Sequence, residues 1–348
     1  MSQLFLRLIQ NSFLNQNYTL MYTNLSEKIK SAFLGLSLGD ALGVPYEFKD
    51  REEMDEAPIS GMVGDSGCWN QPAGTWSDDS SMAFCLAESL VGGYNAIDIA
   101  KKFIAWRREN LWTARGSVFD IGSTTQMGIV RLERCFQTQD FTLLDSYQNY
   151  NDESQNGNGA LMRTLPFVFY LHNYSEQEQF EKVWQISSMT HQHIRSAMSC
   201  FIYLKLAEKL LLDIPKKQAY NEVRTFIKTF WDTIDFPRQE REKFSRIIEQ
   251  DISQLNSSQI KSDGYVIHTL ESALYVFLKY DNYKDIVFAA INLGDDTDTT
   301  ACVAGGIAGI CHGLDIPERW LNKLARTNDI IDLATKTSES VQKNLLNS

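Results

Sequence analysis

The 348-residue sequence predicts an all-α protein, and three observations lead there. Apolar residues recur at helical spacing over long stretches. No succession of alternating strands bounded by turn residues can be found. Two triplets of glycine, each spaced four apart, sit inside otherwise apolar helical patterns. With 43% apolar and 11% aromatic residues the chain has enough material for a large core and is not a disordered one. A formal net charge of −11 argues against a protein that grips nucleic acid by neutralising phosphates.

In chain order, residues 1–24 read as an extension. Phe5, Ile9 and Phe13 recur every four residues, with Leu6 beside them and Arg7, Gln10 and Asn11 facing away. Such an arm is marginal as an isolated helix, for which ~12–15 residues are barely enough, so it must dock on its own domain or on a partner; a start at Met21 is a further reading. It does not read as a convincing signal peptide, because it lacks a basic start and Arg7, Gln10 and Asn11 interrupt the apolar run. Residues 25–335 form the expected domain. Gly35, Gly39 and Gly43 open it in "LGLSLGDALG", and Gly305, Gly309 and Gly313 answer near its end in "GGIAGICHG". Each glycine costs ~1 kcal/mol in a helix relative to alanine, so a face of three makes sense where another backbone must come close. Both helices are expected at the centre of a bundle; Asp40 and the short lengths argue against a membrane packing motif.

Between them, Ile194, Ala197, Met198, Phe201 and Leu204 mark one amphipathic helix, Tyr220, Val223, Phe226, Ile227 and Phe230 a second, and Leu270, Ala273, Leu274 and Phe277 a third. The charged stretch 212–262 reads as a peripheral layer, and 336–348 as a polar tail that frays. The stretch 301–314 carries no formal charge but is shorter than the ~20 residues that span a bilayer. Six cysteines show no CxxC spacing, and Cys85, Cys200 and Cys302 lie in apolar contexts, which points to a reducing cytoplasm.

The chemistry concentrates in two acidic clusters. "NLGDDTDTTA" packs Asp295, Asp296 and Asp298 together with no lysine or arginine near them in the chain. "GTWSDDSSM" places Ser77, Asp78 and Asp79 at the start of an apolar helix. Helix capping accounts for one serine or aspartate at each helix start, but not for paired acids in one cluster and three in the other. Carboxylates and hydroxyls in this pattern suit a hard divalent cation. His191 and His193 stand two apart and do not face the same way on a helix, so a shared zinc is not expected.

Seven segments in order, "AFLGLSLGDALGVPYEF", "GTWSDDSSM", "FDIGSTT", "GNGALMR", "MTHQH", "DGYVIHTLESAL" and "NLGDDTDTTACVAGGIAGI", resemble the ADP-ribosylglycohydrolase family. That family includes the dinitrogenase reductase-activating glycohydrolase and the ADP-ribosylarginine hydrolases. The resemblance covers about residues 26–325. It implies a compact orthogonal helical bundle around a central cleft with two Mg2+ or Mn2+ ions. Carried over by motif, Ser77, Asp78, Asp79, Asp296, Asp298 and Thr299 would be the metal ligands, and Asp295 an outer acid. Ser77 departs from the more usual threonine but keeps the hydroxyl.

The resemblance further implies catalytic roles for Asp79, Asp120 and Glu47, with Glu47 on a mobile loop over the metals. Gly157, Asn158 and Gly159 would cradle diphosphate and ribose through exposed N–H groups, with an ordinary Asn-Gly turn as the plain alternative. His191 would lie near the ligand, and Tyr265 would stack on adenine or serve as a rim residue. Asp120 would pair with a guanidinium, or else cap the helix after it, which favours ADP-ribosyl-arginine as substrate. Hydrolysis of a serine or small-molecule linkage is the alternative. So is a bifunctional immunity protein whose extension also binds and occludes an ADP-ribosyltransferase toxin. A non-enzymatic relative would show eroded ligands, whereas here all are intact. The expected partner is thus an ADP-ribosylated protein, with no nucleic acid and no membrane.

Overall fold

The structure, a computed structural model, describes residues 24–149 and 152–347. The extension expected over 1–24 lies outside the described residues apart from Asn24. The all-α expectation is met: among the described residues β-type pairing is limited to two isolated bridges, Ser66 with Gln71 and Gly157 with Tyr265. The principal helices are α1 (24–43), α2 (Asp78–Val91), α3 (Ala96–Glu109), α4 (Ser123–Thr138), α5 (Glu176–Ser188), α6 (Ile194–Leu211), α7 (Lys216–Thr233), α8 (Val266–Lys279), α9 (Tyr283–Ile291), α10 (Thr297–His312) and α11 (Thr327–Asn347). No described helix is long and apolar enough to cross a membrane.

The two glycine-bearing helices, α1 and α10, cross at the centre with their backbones in contact. A Cβ at Gly35 would lie 2.5 Å from the Gly305 carbonyl oxygen, and one at Gly305 the same distance from the Gly35 oxygen. At Gly39 it would stand 2.6 Å from the Ala301 carbonyl carbon, and at Gly43 2.6 Å from the Asp298 nitrogen. Hydroxyl groups clasp the crossing. Tyr283 donates to the Gly35 carbonyl at 2.6 Å and Thr297 Oγ1 to that of Gly43 at 2.9 Å. Around this pair, α2, α6, α8 and α9 pack against α10. Gly313 differs from the expected face: it ends α10 at φ 65° with open space about it, so its role is termination rather than close packing.

The stretch 212–262 forms the outer layer. Here α7 sets Phe226 and Phe230 against Phe201 of α6, with ring centroids 6.1 and 4.9 Å apart. The cysteines are unpaired, and Cys85, Cys200 and Cys302 are buried as their apolar contexts predict.

The tail expected to fray from 336 onward is instead the second half of α11. Ile330, Ala334, Thr337 and Val341 continue one buried stripe at helical spacing, and Ser340 Oγ donates to the Val91 carbonyl at 2.9 Å. Polar composition hid a narrow apolar seam that packs on α2.

The crossing makes a stability prediction. Gly39→Ala forces backbone against backbone and should destabilise by about 2–3 kcal/mol, in the range of core overpacking. Gly61→Ala, where the nearest atom to an added Cβ is Trp320 Nε1 at 3.9 Å, serves as the control and should change stability little. Urea unfolding followed by circular dichroism measures both.

Candidate metal centre and cavity

The α1–α10 crossing fixes where the acids meet. Asp40, one residue past Gly39, is fully buried and points at the start of α2. Its Oδ1 accepts from the Ser77 N–H at 2.8 Å, and its Oδ2 from Ser80 N–H at 3.0 Å and Ser80 Oγ at 2.5 Å. Ser77 is the N-cap of α2, its hydroxyl accepting from Asp79 N–H at 3.4 Å, so capping and ligation are both open to it. Asp78 and Asp79 follow in the first turn, both buried.

On the other side Asp296 is the N-cap of α10, yet its side chain caps nothing. Its Oδ2 accepts from Asn158 Nδ2 at 2.7 Å. Asp298 Oδ1 accepts from Thr299 N–H at 2.9 Å, and Thr299 Oγ1 donates to Asp79 Oδ1 at 3.2 Å. That last bond joins the two clusters. Two helix N-termini therefore converge on one spot, which favours negative charge there.

Glu47 follows the short 3-10 turn Val44–Tyr46 that ends α1 and is buried rather than a surface acid. The Trp69 indole N–H donates to its carboxylate. Its loop is tied to the second cluster by two backbone bonds, Phe48 N–H to Asp295 O at 2.8 Å and Asp295 N–H to Lys49 O at 2.7 Å. Arg51 adds a clasp, its Nε donating to the Leu293 carbonyl at 3.0 Å and its terminal nitrogens to those of Ser257 and Ile260. Asp295 itself is exposed and left-handed, φ 58°, with its carboxylate 3.3 Å from Ser262 Oγ.

In front of the acids opens a cavity of about 430 Å³, whose walls include Glu47, Asp78, Asp120, Asp296 and Thr299 on one side and Gly157, Asn158, Gly159 and His191 on another. Asp120 is not a helix cap, since α4 starts from Gly122 without a side-chain cap bond. His191 is buried, its Nδ1 2.8 Å from Thr190 Oγ1, and burial beside Arg163 and Arg131 holds its pKa well below the ordinary value; it is neutral.

One expectation needs revision. The 157–159 turn is not a row of free N–H groups, because the Asn158 N–H donates to the Gly264 carbonyl at 3.0 Å and its side chain holds Asp296. Gly159 has no Cβ because one would stand 2.7 Å from His191 Cε1 and Thr125 Oγ1. Tyr265 directly follows Gly264 of the cavity wall and is half-buried, with its ring edge-on to His268 and beside Arg195. His193 is the N-cap of α6, accepting from Arg195 N–H, and takes no part in the cavity. Sequence reasoning also missed two residues. Asp40 had a signal, a lone acid on a glycine face of an apolar helix; Trp69 had none, since only the fold brings its loop to Glu47.

The electrostatics are those of a site made for a cation. Burial and then neighbouring carboxylates push Asp78, Asp79 and Asp298 well above the ordinary aspartate value. Asp40 is raised to about 6 by burial, Asp120 to about 7 by burial and Asp296, and Glu47 to about 8 by burial and Asp120. The buried Arg163 turns its two terminal nitrogens to the carbonyls of Gly159 and Ile186 and stacks over Phe103 rather than pairing with the acids. Asp79 Oδ2 is buried without a hydrogen-bond partner. Asp40, Asp79 and Asp298 each offer an oxygen within 4.8 Å of the others, and so do Glu47, Asp120 and Asp298. An orphaned carboxylate oxygen amid hard oxygen donors fits a divalent cation.

Comparison with known proteins agrees with this geometry. The family model described as ADP-ribosylglycohydrolase matches residues 21–346. The ADP-ribosylarginine hydrolase Tri1 of Pseudomonas putida (strain GB-1) is 32% identical over 311 residues, 88% of this chain and 77% of that protein. The ADP-ribosyl-[dinitrogen reductase] glycohydrolase of Rhodospirillum rubrum is 27% identical, with 86% and 91% covered. A solved structure described as an ADP-ribosylglycohydrolase-related protein complex superposes with a TM-score of 0.73 at 27% identity, over 92% of this chain and 99% of that one.

The raised carboxyls predict a pH dependence. Each binds its proton more tightly folded than unfolded, so it favours the metal-free fold at low pH and loses that contribution as pH rises through about 6 to about 8. The Tm of chelator-treated protein should fall between about pH 5.5 and 8.5, and Mg2+ or Mn2+ should restore it most at the alkaline end while releasing protons at neutral pH. A metal-free Tm that rises over this window, measured by calorimetry, would contradict the assignment.

Proposed function

The chain belongs to the ADP-ribosylglycohydrolase family, and from that premise we propose that it removes ADP-ribose from modified arginine side chains, with two Mg2+ or Mn2+ ions at the acidic centre. The observation that carries this reading is the meeting of two distant acidic clusters, joined by Thr299 and Asp79, at the floor of a cavity that two further carboxylates, Glu47 and Asp120, also line.

Ser77, Asp78, Asp79, Asp296, Asp298 and Thr299 would hold the ions; Asp298 offers an oxygen within 4.8 Å of Asp79 in one group and of Glu47 and Asp120 in another, and this central place supports a pair. Asp40 supports the start of α2 rather than reaching forward, because each of its oxygens already accepts from it. Cations bound there supply Lewis acidity toward sugar hydroxyls and water.

The chain's own groups do the rest. Loss of the acceptor leaves positive character on the ribose ring, and the surrounding carboxylates stabilise it. Asp120 and Glu47, with pKa values near 7 and 8, hold or release a proton at neutral pH, as acid–base work requires. Asp120, lining the cavity and not engaged as a cap, suits two parallel hydrogen bonds to a guanidinium. Asn158 fixes Asp296, and neutral His191 packs under the 157–159 turn, shaping the wall for the rest of the nucleotide.

Partner binding by the N-terminal extension rests on its amphipathic spacing alone. The serine-linked alternative offers no cation for Asp120 to meet, so the arginine reading is the one the site favours.

Purified full-length protein incubated with ADP-ribosyl-arginine and ADP-ribosyl-serine peptides should cleave the first, and excess chelator should stop it until Mg2+ or Mn2+ is returned. Asp120→Ala should lower kcat/KM on the arginine-linked peptide by about 100-fold or more, with ADP-ribose affinity changed by no more than about threefold. Equal loss of both, by kinetics and calorimetry, would make Asp120 a structural residue and remove the arginine assignment.

A further inference from the structure

Three aromatic rings gather on the carboxylate side of the cavity without belonging to the core. Trp69 lines the cavity, and its indole is anchored at one edge by the hydrogen bond to Glu47. Phe48 and Phe119 flank it with ring centroids 6.4 and 5.7 Å away. Their planes are tilted by 53° and 59°, so neither ring lies flat on the indole.

Phe48 is costly where it stands. It is 68% exposed, and its φ of 67° lies in the left-handed region that a bulky residue rarely adopts. The strain is held by the pair of backbone bonds to Asp295 described above. Strain of this kind persists where the surroundings over-determine it, and it clusters at ligand clamps. Phe119 directly precedes Asp120, so the aromatic wall and the acceptor carboxylate arrive on one segment.

Taking arginine-linked ADP-ribose as the substrate, we propose that Trp69 is the specificity-determining residue: the acceptor guanidinium lies against its indole, with Phe48 and Phe119 closing the sides, while Asp120 receives the guanidinium N–H groups. A guanidinium is planar, always charged and weakly hydrated, so it stacks on an aromatic face and still offers its edge to a carboxylate. A serine acceptor has neither plane nor charge, and the wall gives it nothing. Glu47 holds the indole by its N–H edge, so the ring is placed before the substrate arrives.

The test compares wild type, Trp69→Phe and Trp69→Leu as full chains loaded with Mn2+. The readouts are kcat and KM on an ADP-ribosyl-arginine peptide, inhibition by agmatine as a free guanidinium probe, and ADP-ribose affinity by calorimetry. Trp69→Phe keeps a ring and should hold KM and agmatine inhibition within about threefold; Trp69→Leu should raise both constants about tenfold, with ADP-ribose affinity within about twofold. If both variants instead lose kcat together at unchanged KM, the bond to Glu47 is the whole contribution and the stacking role is overturned. Unchanged constants in Trp69→Leu overturn it too. Wild type that spares the arginine-linked peptide but cleaves the serine-linked one overturns the arginine reading itself, a failure distinct from any confined to the variants.

Discussion

Everything in this fold that bears on chemistry depends on two helix backbones touching. The crossing of α1 and α10 brings carbonyl groups to within the space of a missing methyl at Gly35 and Gly305. Helical glycines each cost ~1 kcal/mol, a cost offset here by close packing and by the hydroxyls of Tyr283 and Thr297 on α1 carbonyls. What the approach delivers is position. It sets Asp40, between Gly39 and Gly43, against the start of α2, and it sets Asp298 beside Gly43. With a side chain on either face, the two helices would separate and the acid clusters with them.

The second consequence is electrostatic. Seven carboxyls, those of Asp40, Glu47, Asp78, Asp79, Asp120, Asp296 and Asp298, are raised by burial, most of them further by one another. No core packing needs such a group, and burying it unpaired works against stability. Two helix N-termini and a few hydrogen bonds relieve part of the repulsion; a cation bound there would relieve the rest. The structure thus trades stability of the empty site for affinity. The tethers at Phe48, Asp295 and Arg51 keep Glu47 close to a cluster that would otherwise repel it.

Local patterns were legible in the sequence and non-local ones were not. The helices at 194, 216 and 266 follow from apolar residues at helical spacing, and the glycine faces follow from their cost. The acid clusters stood out because capping explains one acid and not three. Asp40 was visible but read only as an argument against a membrane, because its partners Ser77 and Ser80 come from a different helix. The 157–159 turn looked like an anion cradle, but its central N–H belongs to Gly264, far along the chain. The end of α11 looked like a tail since, beyond Ala334, its buried seam is made of Thr337, Ser338 and Val341, mostly polar residues amid polar neighbours. In each of these cases tertiary contact, not local chemistry, decided the outcome.

The central claim is that the α1–α10 crossing builds one cation site from two acidic clusters. The most direct measurement is anomalous diffraction at the manganese edge from crystals of the full chain grown with Mn2+. The account predicts two peaks on the floor of the cavity, flanking Asp298 and within ligand distance of Asp78, Asp79 and Asp296. An occupied position elsewhere, such as the Glu153, His193 and Glu240 group, with the floor of the cavity empty, would contradict it.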